Sequence, residues 1–152
     1  MSIKKIVDVK EFSDICEKLN SLFKEENKKY GHRYLPISAK SIVNAWGHAS
    51  FLYHTMHVWV SFSEEKPDGI IMFLEHINPT FGEKVFTEYF WISKNPQKSF
   101  TLFKTALKYA KKRKIKYAFV SCVENHPKSL KLQKVYQKLG FLKDSSTYIK
   151  KL

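Results

Sequence analysis

Cysteine is scarce in this sequence and forms no recognisable pattern. The 152 residues include two cysteines, Cys16 and Cys122, which lie far apart with no CxxC spacing. This argues against a disulfide framework within the chain and against a zinc knuckle. Such sparse use of cysteine favours a reducing intracellular compartment.

Long apolar runs are also missing. None approaches the ~18 residues of a membrane-spanning helix, and the opening stretch "MSIKKIVDVKEF" has charge but lacks the apolar core of a signal peptide. Repeats, low-complexity tracts and Gly/Ser-rich linkers are absent too, whereas 43% hydrophobic and 15% aromatic residues suffice for one core. We therefore expect a soluble, cytoplasmic protein that forms a single domain over residues 1–152 and has no membrane partner.

Acidic residues are nearly absent from the last third of the chain. Residues 1–93 hold 11 Lys/Arg and 12 Asp/Glu, a balance of −1, whereas residues 94–152 hold 16 and 2, a balance of +14. This asymmetry predicts an anionic partner for the C-terminal part, either a phosphorylated cofactor or a nucleic acid. The alternative is a lysine-rich solvated surface with no partner.

The first two thirds of the chain predict a strand, two helices and three further strands. An apolar stretch from Ile3 to Val9 precedes a helix, for which Asp8 and Glu11 have capping-box spacing and which should end near residues 28–34. A second helix follows, and Gly47 should end it. Three β-rich runs separated by turns then predict an antiparallel meander: "MHVWVSF", "GIIMFLEHI" and "KVFTEYFWI".

The last third predicts alternating helices and strands. An apolar stripe indicates a helix over Gln97–Lys112 with lysines on another face, and "KYAFVSCVE" is typical of a buried strand. A second apolar stripe indicates a helix that ends at Gly140, after which "FLKDSSTYIKKL" predicts one or two final strands. The predicted order is β-α-α-β-β-β-α-β-α-β.

This order, combined with the ending "VYQKLGF", resembles the GNAT N-acetyltransferase superfamily and is similar to its small bacteriophage-encoded members. The resemblance implies an α+β fold with a central mixed, mostly antiparallel sheet, splayed between strands 4 and 5, and with helices on both faces. It also implies that acetyl-CoA lies in the opening as the acyl donor. The implied activity is transfer of the acetyl group to a primary amine by direct attack.

The resemblance assigns catalytic roles to two residues. Tyr136 is the implied general acid that protonates the departing thiolate. The alternative is a core residue whose hydroxyl reaches a partner, because Tyr136 also belongs to an apolar stripe. Glu88, in the fourth strand, is the candidate general base, because burial of an unpaired carboxylate raises its pKa. The alternatives for Glu88 are an exposed position on the sheet or a pairing with a lysine.

Three further residues are implied to lie along the donor. Trp91 and Ile92 belong to the strand edge whose amides hold the thioester carbonyl. Ser129 stands where the family often has an Asn near the pantetheine arm. The Ser129 signal is weak, since a serine at that position can equally open the helix.

The loop "SKNPQKSF" departs from the family. GNAT enzymes usually have an Arg or Gln and two Gly-like residues here, and the resemblance places Lys94, Gln97 and Ser99 at those positions, with no glycine. The amides from Gln97 to Phe100 and the charge of Lys94 or Lys98 are the remaining candidates to hold the CoA pyrophosphate.

Other constellations predict little. Four histidines, His48, His54, His57 and His76, have no convincing ligand spacing, so no metal site is predicted. A thiol nucleophile at Cys122 is disfavoured, because a cysteine inside an apolar strand is usually inert.

Three functional hypotheses follow from the sequence. The first is the N-acetyltransferase, the second is a nucleic-acid-binding or base-modifying protein of the same fold, and the third is a catalytically silent structural or interaction protein. Residues 28–38 should border the acceptor site. The identity of the amine acceptor and the oligomeric state are left open.

Overall fold

The centre of the fold is a five-stranded sheet. The computed structural model describes residues 2–29, 37–53, 55–80, 82–122 and 129–143. The strands are β1 (Ser2–Ile6), β2 (Met56–Ser63), β3 (Lys66–Ile77), β4 (Lys84–Ser93) and β5 (Tyr117–Phe119). They lie in chain order, antiparallel from β1 to β4 and parallel between β4 and β5. The predicted α+β class with a mixed, mostly antiparallel sheet is confirmed.

Helices cover both faces of this sheet. They are α1 (Val9–Lys18), α2 (Asn20–Lys29), α3 (Ala39–Tyr53), α4 (Pro96–Lys112) and α5 (Ser129–Lys138). The first three bury Phe12 and Phe23 against one face, and α4 and α5 bury Phe103 and Tyr136 against the other. Removal of apolar surface from water on both sides stabilises this three-layer arrangement, as predicted.

The N-terminal helices follow the predicted signals with one difference. The Asp8 side chain caps α1 by accepting a hydrogen bond from the Glu11 amide at 2.7 Å, as its spacing predicted. The prediction of one continuous helix was wrong, because the chain breaks at Leu19, whose amide bonds back to the carbonyls of Ile15 and Cys16. Leu19 itself is fully buried in the core.

Gly47 does not end the second predicted helix. That helix, α3, continues through it to Tyr53. A glycine inside a helix costs about 1 kcal/mol relative to alanine, but Ile42 and Trp46 on the same helix are both buried in the core. Their burial outweighs one poor helix former, so tertiary packing overrides the local stop signal.

The pairing of β5 with β4 is short. Three residues of each strand pair, Val85–Thr87 with Tyr117–Phe119. Within the described residues β4 then continues to Ser93 with no partner in β5, so the sheet opens beyond Thr87 as predicted. Of the predicted strand "KYAFVSCVE", Tyr117–Phe119 is a strand, residues 116 and 120–122 are not, and residues 123 and 124 lie outside the described residues. Of the predicted terminal strands, residues 141–143 form none, and 144–152 lie outside the described residues.

A β-bulge in β4 lies at the same level as this opening. Tyr89 is the extra residue, between Glu88 and Phe90, which pair with consecutive residues of β3. In an unbroken strand, residues three apart point to opposite faces. The bulge shifts that alternation, so Glu88 and Trp91 both lie on the face covered by α4 and α5.

Candidate active site

Glu88 is the first residue of β4 beyond the paired segment. Its Oε2 accepts hydrogen bonds from the backbone amide of Ser121 at 3.0 Å and from the Ser121 hydroxyl at 3.3 Å. Burial raises the pKa of Glu88, and the two bonds from Ser121 oppose that effect only in part. The carboxylate is thus half-buried and bonded to a serine, and no lysine among the described residues forms an ion pair with it. Its role as general base stays a prediction.

Tyr136 approaches the same residue from α5. Its hydroxyl donates to the backbone carbonyl of Ser121 at 3.3 Å, and its ring packs against Phe103 and Phe141. Burial raises the pKa of Tyr136, and the charge of Glu88 raises it further. Tyr136 is therefore a core residue by its ring, with a protonated hydroxyl that is bonded to the backbone of Ser121.

Glu88, Ser121 and Tyr136 form a chain of three residues in which Glu88 bonds to the amide and hydroxyl of Ser121 and Tyr136 bonds to its backbone carbonyl. A carboxylate with a raised pKa lies at one end and a phenol that keeps its proton lies at the other. Such a pair can accept one proton and supply another within the same site. This arrangement suits a reaction that removes a proton from a nucleophile while it protonates a leaving group.

Trp91 and Ile92 lie further along β4 and differ in orientation. The Trp91 ring stacks on Phe103 at 4.9 Å between centroids, on the face of α4 and α5. Its indole N–H is buried and has no hydrogen-bond partner in the described part of the chain. The Ile92 side chain is buried on the opposite face, so only its backbone can line the opening.

The start of α4 is closed by its own residues. Asn95 is the N-cap, and its Oδ1 accepts from the amides of Gln97 at 2.9 Å and Lys98 at 3.3 Å. Pro96 has no amide hydrogen, and the Ser99 amide donates to the Asn95 carbonyl at 2.8 Å. The amides that were predicted to hold a pyrophosphate already have partners, so this helix start does not fit that group in the structure.

Lys98 and Lys94 have different surroundings. The Lys98 ammonium bonds to Ser63 and forms a salt bridge with Asp68 at 2.6 Å, and both of these charged side chains are almost buried. Ser61 and Ser63 also donate to the Asp68 carboxylate, at 2.7 and 2.6 Å. Lys94 is exposed, and its backbone amide bonds to the Asp68 carbonyl. The charge of Lys98 is therefore already compensated, whereas that of Lys94 faces solvent.

Ser129 and Phe100, the remaining predicted donor contacts, are both engaged. Ser129 is buried at the first position of α5, where its hydroxyl lies 3.3 Å from the Cys122 Sγ and accepts from Gln133 at 3.0 Å. Phe100 is half-buried beneath the Lys104 ammonium, which lies 4.4 Å from the ring centroid. The roles of the eight predicted donor contacts stay predictions.

A second polar cluster, which sequence reasoning missed, lies at the far end of α4. Glu75 in β3 is 3% exposed and accepts from His57 at 2.9 Å and from two nitrogens of Arg113 at 3.0 Å each. The Lys84 ammonium lies 3.2 Å from Oε1 of Glu75, the oxygen that also accepts from Nη2 of Arg113. Burial would raise the pKa of Glu75, but these bonds outweigh it and lower the pKa to about 2. An acidic residue inside the apolar run "GIIMFLEHI" was the available signal.

Ser121 and Asn95 were missed as well. Asn95 directly before Pro96 has the form of a helix N-cap followed by proline at the first helical position, a signal that places the start of α4 one residue before the predicted Gln97. Ser121 carried no signal, because its importance comes from two residues that are distant in sequence.

The described residues show neither a metal-binding cluster nor a membrane-spanning helix. They contain no group of three or more His, Cys, Asp or Glu side chains that could hold a metal ion. Among the helices of the described part, none is long and apolar enough to cross a membrane.

Comparison with known proteins shows similarity in structure alone. No protein-family model and no curated protein matches the chain. A ribosomal-protein-alanine N-acetyltransferase from Brucella melitensis biovar Abortus 2308 matches with a TM-score of 0.68 at 10% identity, covering 100% of both chains. An aminoglycoside acetyltransferase from an uncultured soil metagenomic sample, in complex with trehalose, matches with 0.69 at 11% identity, covering 99% of this chain and 95% of that one.

An acetyl-CoA complex is also among the similar structures. A predicted acetyltransferase from Clostridium acetobutylicum, solved with acetyl-CoA, matches with a TM-score of 0.66 at 15% identity, covering 99% of this chain and 95% of that one. Similarity at such low identity concerns the fold alone. The GNAT-like fold predicted for this chain is thereby confirmed as one that acetyltransferases share.

Proposed function

We propose that this chain is an N-acetyltransferase that moves an acetyl group from a thioester donor of the acetyl-CoA type to a primary amine. The observation that carries the proposal is the meeting of Glu88 and Tyr136 at Ser121, at the point where β4 and β5 separate. The fold shared with acetyltransferases supports it. The similarity to bacteriophage-encoded proteins stays a prediction.

The proposed reaction needs one base and one acid. Glu88 takes a proton from the amine as its nitrogen attacks the thioester carbonyl, and the amides along the β4 edge at Trp91 and Ile92 stabilise the developing oxyanion. When the carbon–sulfur bond breaks, Tyr136 gives its proton to the leaving thiolate. The proton on Glu88 is then released to solvent and Tyr136 takes a proton from solvent, so the protein ends as it began.

The test is release of free thiol from acetyl-CoA in the presence of a panel of primary amines. Glu88→Gln and Tyr136→Phe should each lower kcat by about 100-fold or more, the usual contribution of a general acid or base. Glu17→Gln and Tyr117→Phe are matched controls at exposed positions and should leave kcat unchanged. Thiol release that is insensitive to both active-site changes would remove these roles, and no release with any amine would favour the catalytically silent alternative.

A second candidate function is the binding of a nucleic acid. Six lysines on α4 and α5 are exposed, and none forms an ion pair within the described residues: Lys104, Lys108, Lys111, Lys131, Lys134 and Lys138. Unpaired surface cations of this number favour a polyanion as partner. The two functions are compatible, since the lysine faces lie outside the Glu88–Ser121–Tyr136 chain.

A further inference from the structure

The first turn of α4 offers no open amide to an anion. A helix start binds phosphate through free backbone N–H groups together with the helix dipole. Here Pro96 has no N–H group, the Asn95 side chain occupies the next two amides at 2.9 and 3.3 Å, and the Ser99 amide bonds to the Asn95 carbonyl. The Asn95 Oδ1 therefore stands where an anion oxygen would have to lie.

Neighbouring contacts hold Asn95 in this position. The Ser93 hydroxyl donates to the Asn95 carbonyl at 3.1 Å and accepts from the Asn95 amide at 3.2 Å. Ser93 in turn packs tightly against Gly69 of β3, where an added Cβ would lie 2.7 Å from the Ser93 Oγ. The loop before α4 is thus packed against β3 through Ser93, and the same serine fixes the backbone of the N-cap residue Asn95.

The nearest partly buried cation, Lys98, is already paired with a carboxylate. Lys98, one turn into α4, lies 2.6 Å from Asp68 and bonds to Ser63, both on the β2–β3 hairpin. A carboxylate within contact distance cancels the attraction of this ammonium for a phosphate. Neither the amides nor this side chain therefore provides the cradle that a pyrophosphate needs.

We propose that Asn95 determines donor specificity, because it prevents the start of α4 from binding a pyrophosphate. The chain then recognises an acyl-pantetheine thioester by its acyl and pantetheine parts. This inference rests on the proposed acyl transfer, since it concerns the donor of that reaction. It follows that a thioester without the nucleotide should serve as donor nearly as well as acetyl-CoA.

The experiment compares kcat/KM for acetyl-CoA and for acetyl-pantetheine, which has no phosphate, with the same amine and at constant ionic strength. One charge-assisted hydrogen bond favours a ligand by about tenfold or more. We expect the wild type to prefer acetyl-CoA by less than about tenfold, because no such bond is made at α4. A preference of about 100-fold or more would overturn the inference.

Two variants at Asn95 locate the effect. Asn95→Asp keeps the cap and adds a negative charge, so we expect the ratio of the two donors to be unchanged. Asn95→Gly keeps an acceptable backbone for the N-cap but frees two amides, and it should raise kcat/KM for acetyl-CoA by about tenfold while acetyl-pantetheine is unaffected. A wild-type preference for acetyl-CoA that Asn95→Asp abolishes would place the pyrophosphate at α4 after all.

Failure of the proposed function has a different signature. If neither thioester releases thiol with any amine, acyl transfer is wrong, and calorimetry with coenzyme A and with pantetheine then decides the inference about recognition. Similar affinities for the two would support it. Much tighter binding of coenzyme A, lost in Asn95→Asp, or binding of neither compound would overturn it.

Discussion

The Glu88 carboxylate and the Tyr136 hydroxyl are coupled through one residue, because Glu88 accepts hydrogen bonds from the amide and hydroxyl of Ser121 and Tyr136 donates to its carbonyl. The negative charge of Glu88 also contributes to the raised pKa of Tyr136. The acid and base of the proposed reaction therefore influence each other. A substitution of either residue should therefore change the pKa of the other.

The pH dependence of activity should reflect this pair. Because burial raises the pKa of Glu88 above its ordinary value of 4.5, kcat/KM should rise with pH through an apparent pKa above that value. The raised pKa of Tyr136 means that no loss should appear below its ordinary value of 10.0. The measurement is a pH–rate profile with an amine of low pKa, so that the acceptor stays neutral. In Glu88→Gln the acidic limb should vanish, whereas Glu17→Gln should retain it.

The buried cluster around Glu75 should make the fold sensitive to acid. The pKa of Glu75 is lowered from 4.5 to about 2, so the stability that its charge contributes is present above pH 4.5 and is lost as the pH falls towards 2. Burial lowers the pKa of His57 below 6.5, so its protonation also disfavours the folded state below that pH. Both groups predict that the free energy of unfolding declines on acidification, which denaturant titrations across this pH range will measure.

Glu75→Gln isolates the contribution of the carboxylate. It removes the charge to which Arg113, Lys84 and His57 are bonded, and it should cost about 2 kcal/mol at neutral pH, the scale of charge-assisted hydrogen bonds. Glu83→Gln is the matched control, because Glu83 pairs with Lys116 at the surface and should change stability little. Equal losses of unfolding free energy in the two variants would show that the buried ion pairs of Glu75 contribute no more than a surface pair.

Two glycines should respond in opposite ways to alanine. A Cβ at Gly69 would lie 2.7 Å from the hydroxyl oxygens of Ser61 and Ser93, whereas a Cβ at Gly47 would meet nothing within 4 Å. Gly69→Ala should therefore destabilise the protein by about 1–3 kcal/mol through overpacking. Gly47→Ala, inside α3, should stabilise it by about 0.5–1 kcal/mol. Thermal unfolding of both variants tests the prediction, and a stable Gly69→Ala protein would mean that the β3–β4 contact relaxes easily.

The lysine faces of α4 and α5 predict salt-dependent binding of nucleic acid. If they bind a polyanion, affinity should be tolerant of sequence and should fall with salt with a log–log slope of about −0.9 for each phosphate neutralised on duplex DNA. The variant with Lys131, Lys134 and Lys138 changed to Gln should bind more weakly with a smaller slope. Absence of binding at ~50 mM salt, or binding unaffected by the triple change, would leave these lysines as a solubility feature.

Local patterns determined most of the secondary structure. Asp8 caps α1 because a short side chain three residues before Glu11 reaches its amide. The apolar runs of β2, β3 and β4 pair as predicted, and continuous apolar runs suit β2 and β3 because helices cover both faces of the sheet. The apolar stripe that includes Tyr136 likewise placed α5 against the sheet. In each case the information lies within a few consecutive residues.

The continuation of α3 through Gly47 depended on packing between distant elements, because Ile42 and Trp46 of that helix are buried in the core. The break at Leu19 was not predicted either, since the apolar stripe of α1 and α2 runs through it without interruption. Local signals predict where a helix is able to end, and burial decides whether it does.

Only the tertiary structure decided the chemistry of the site. The bulge at Tyr89 brings Glu88 and Trp91 to one face, against the alternation of their sequence positions. The short pairing of β5 then brings Ser121 beside Glu88, a residue 33 positions away in the chain. Contacts of that kind depend on strand register and on where pairing stops, and both are set by the packing of the whole sheet against α4 and α5 because a register shift would move every side chain of a strand to the other face.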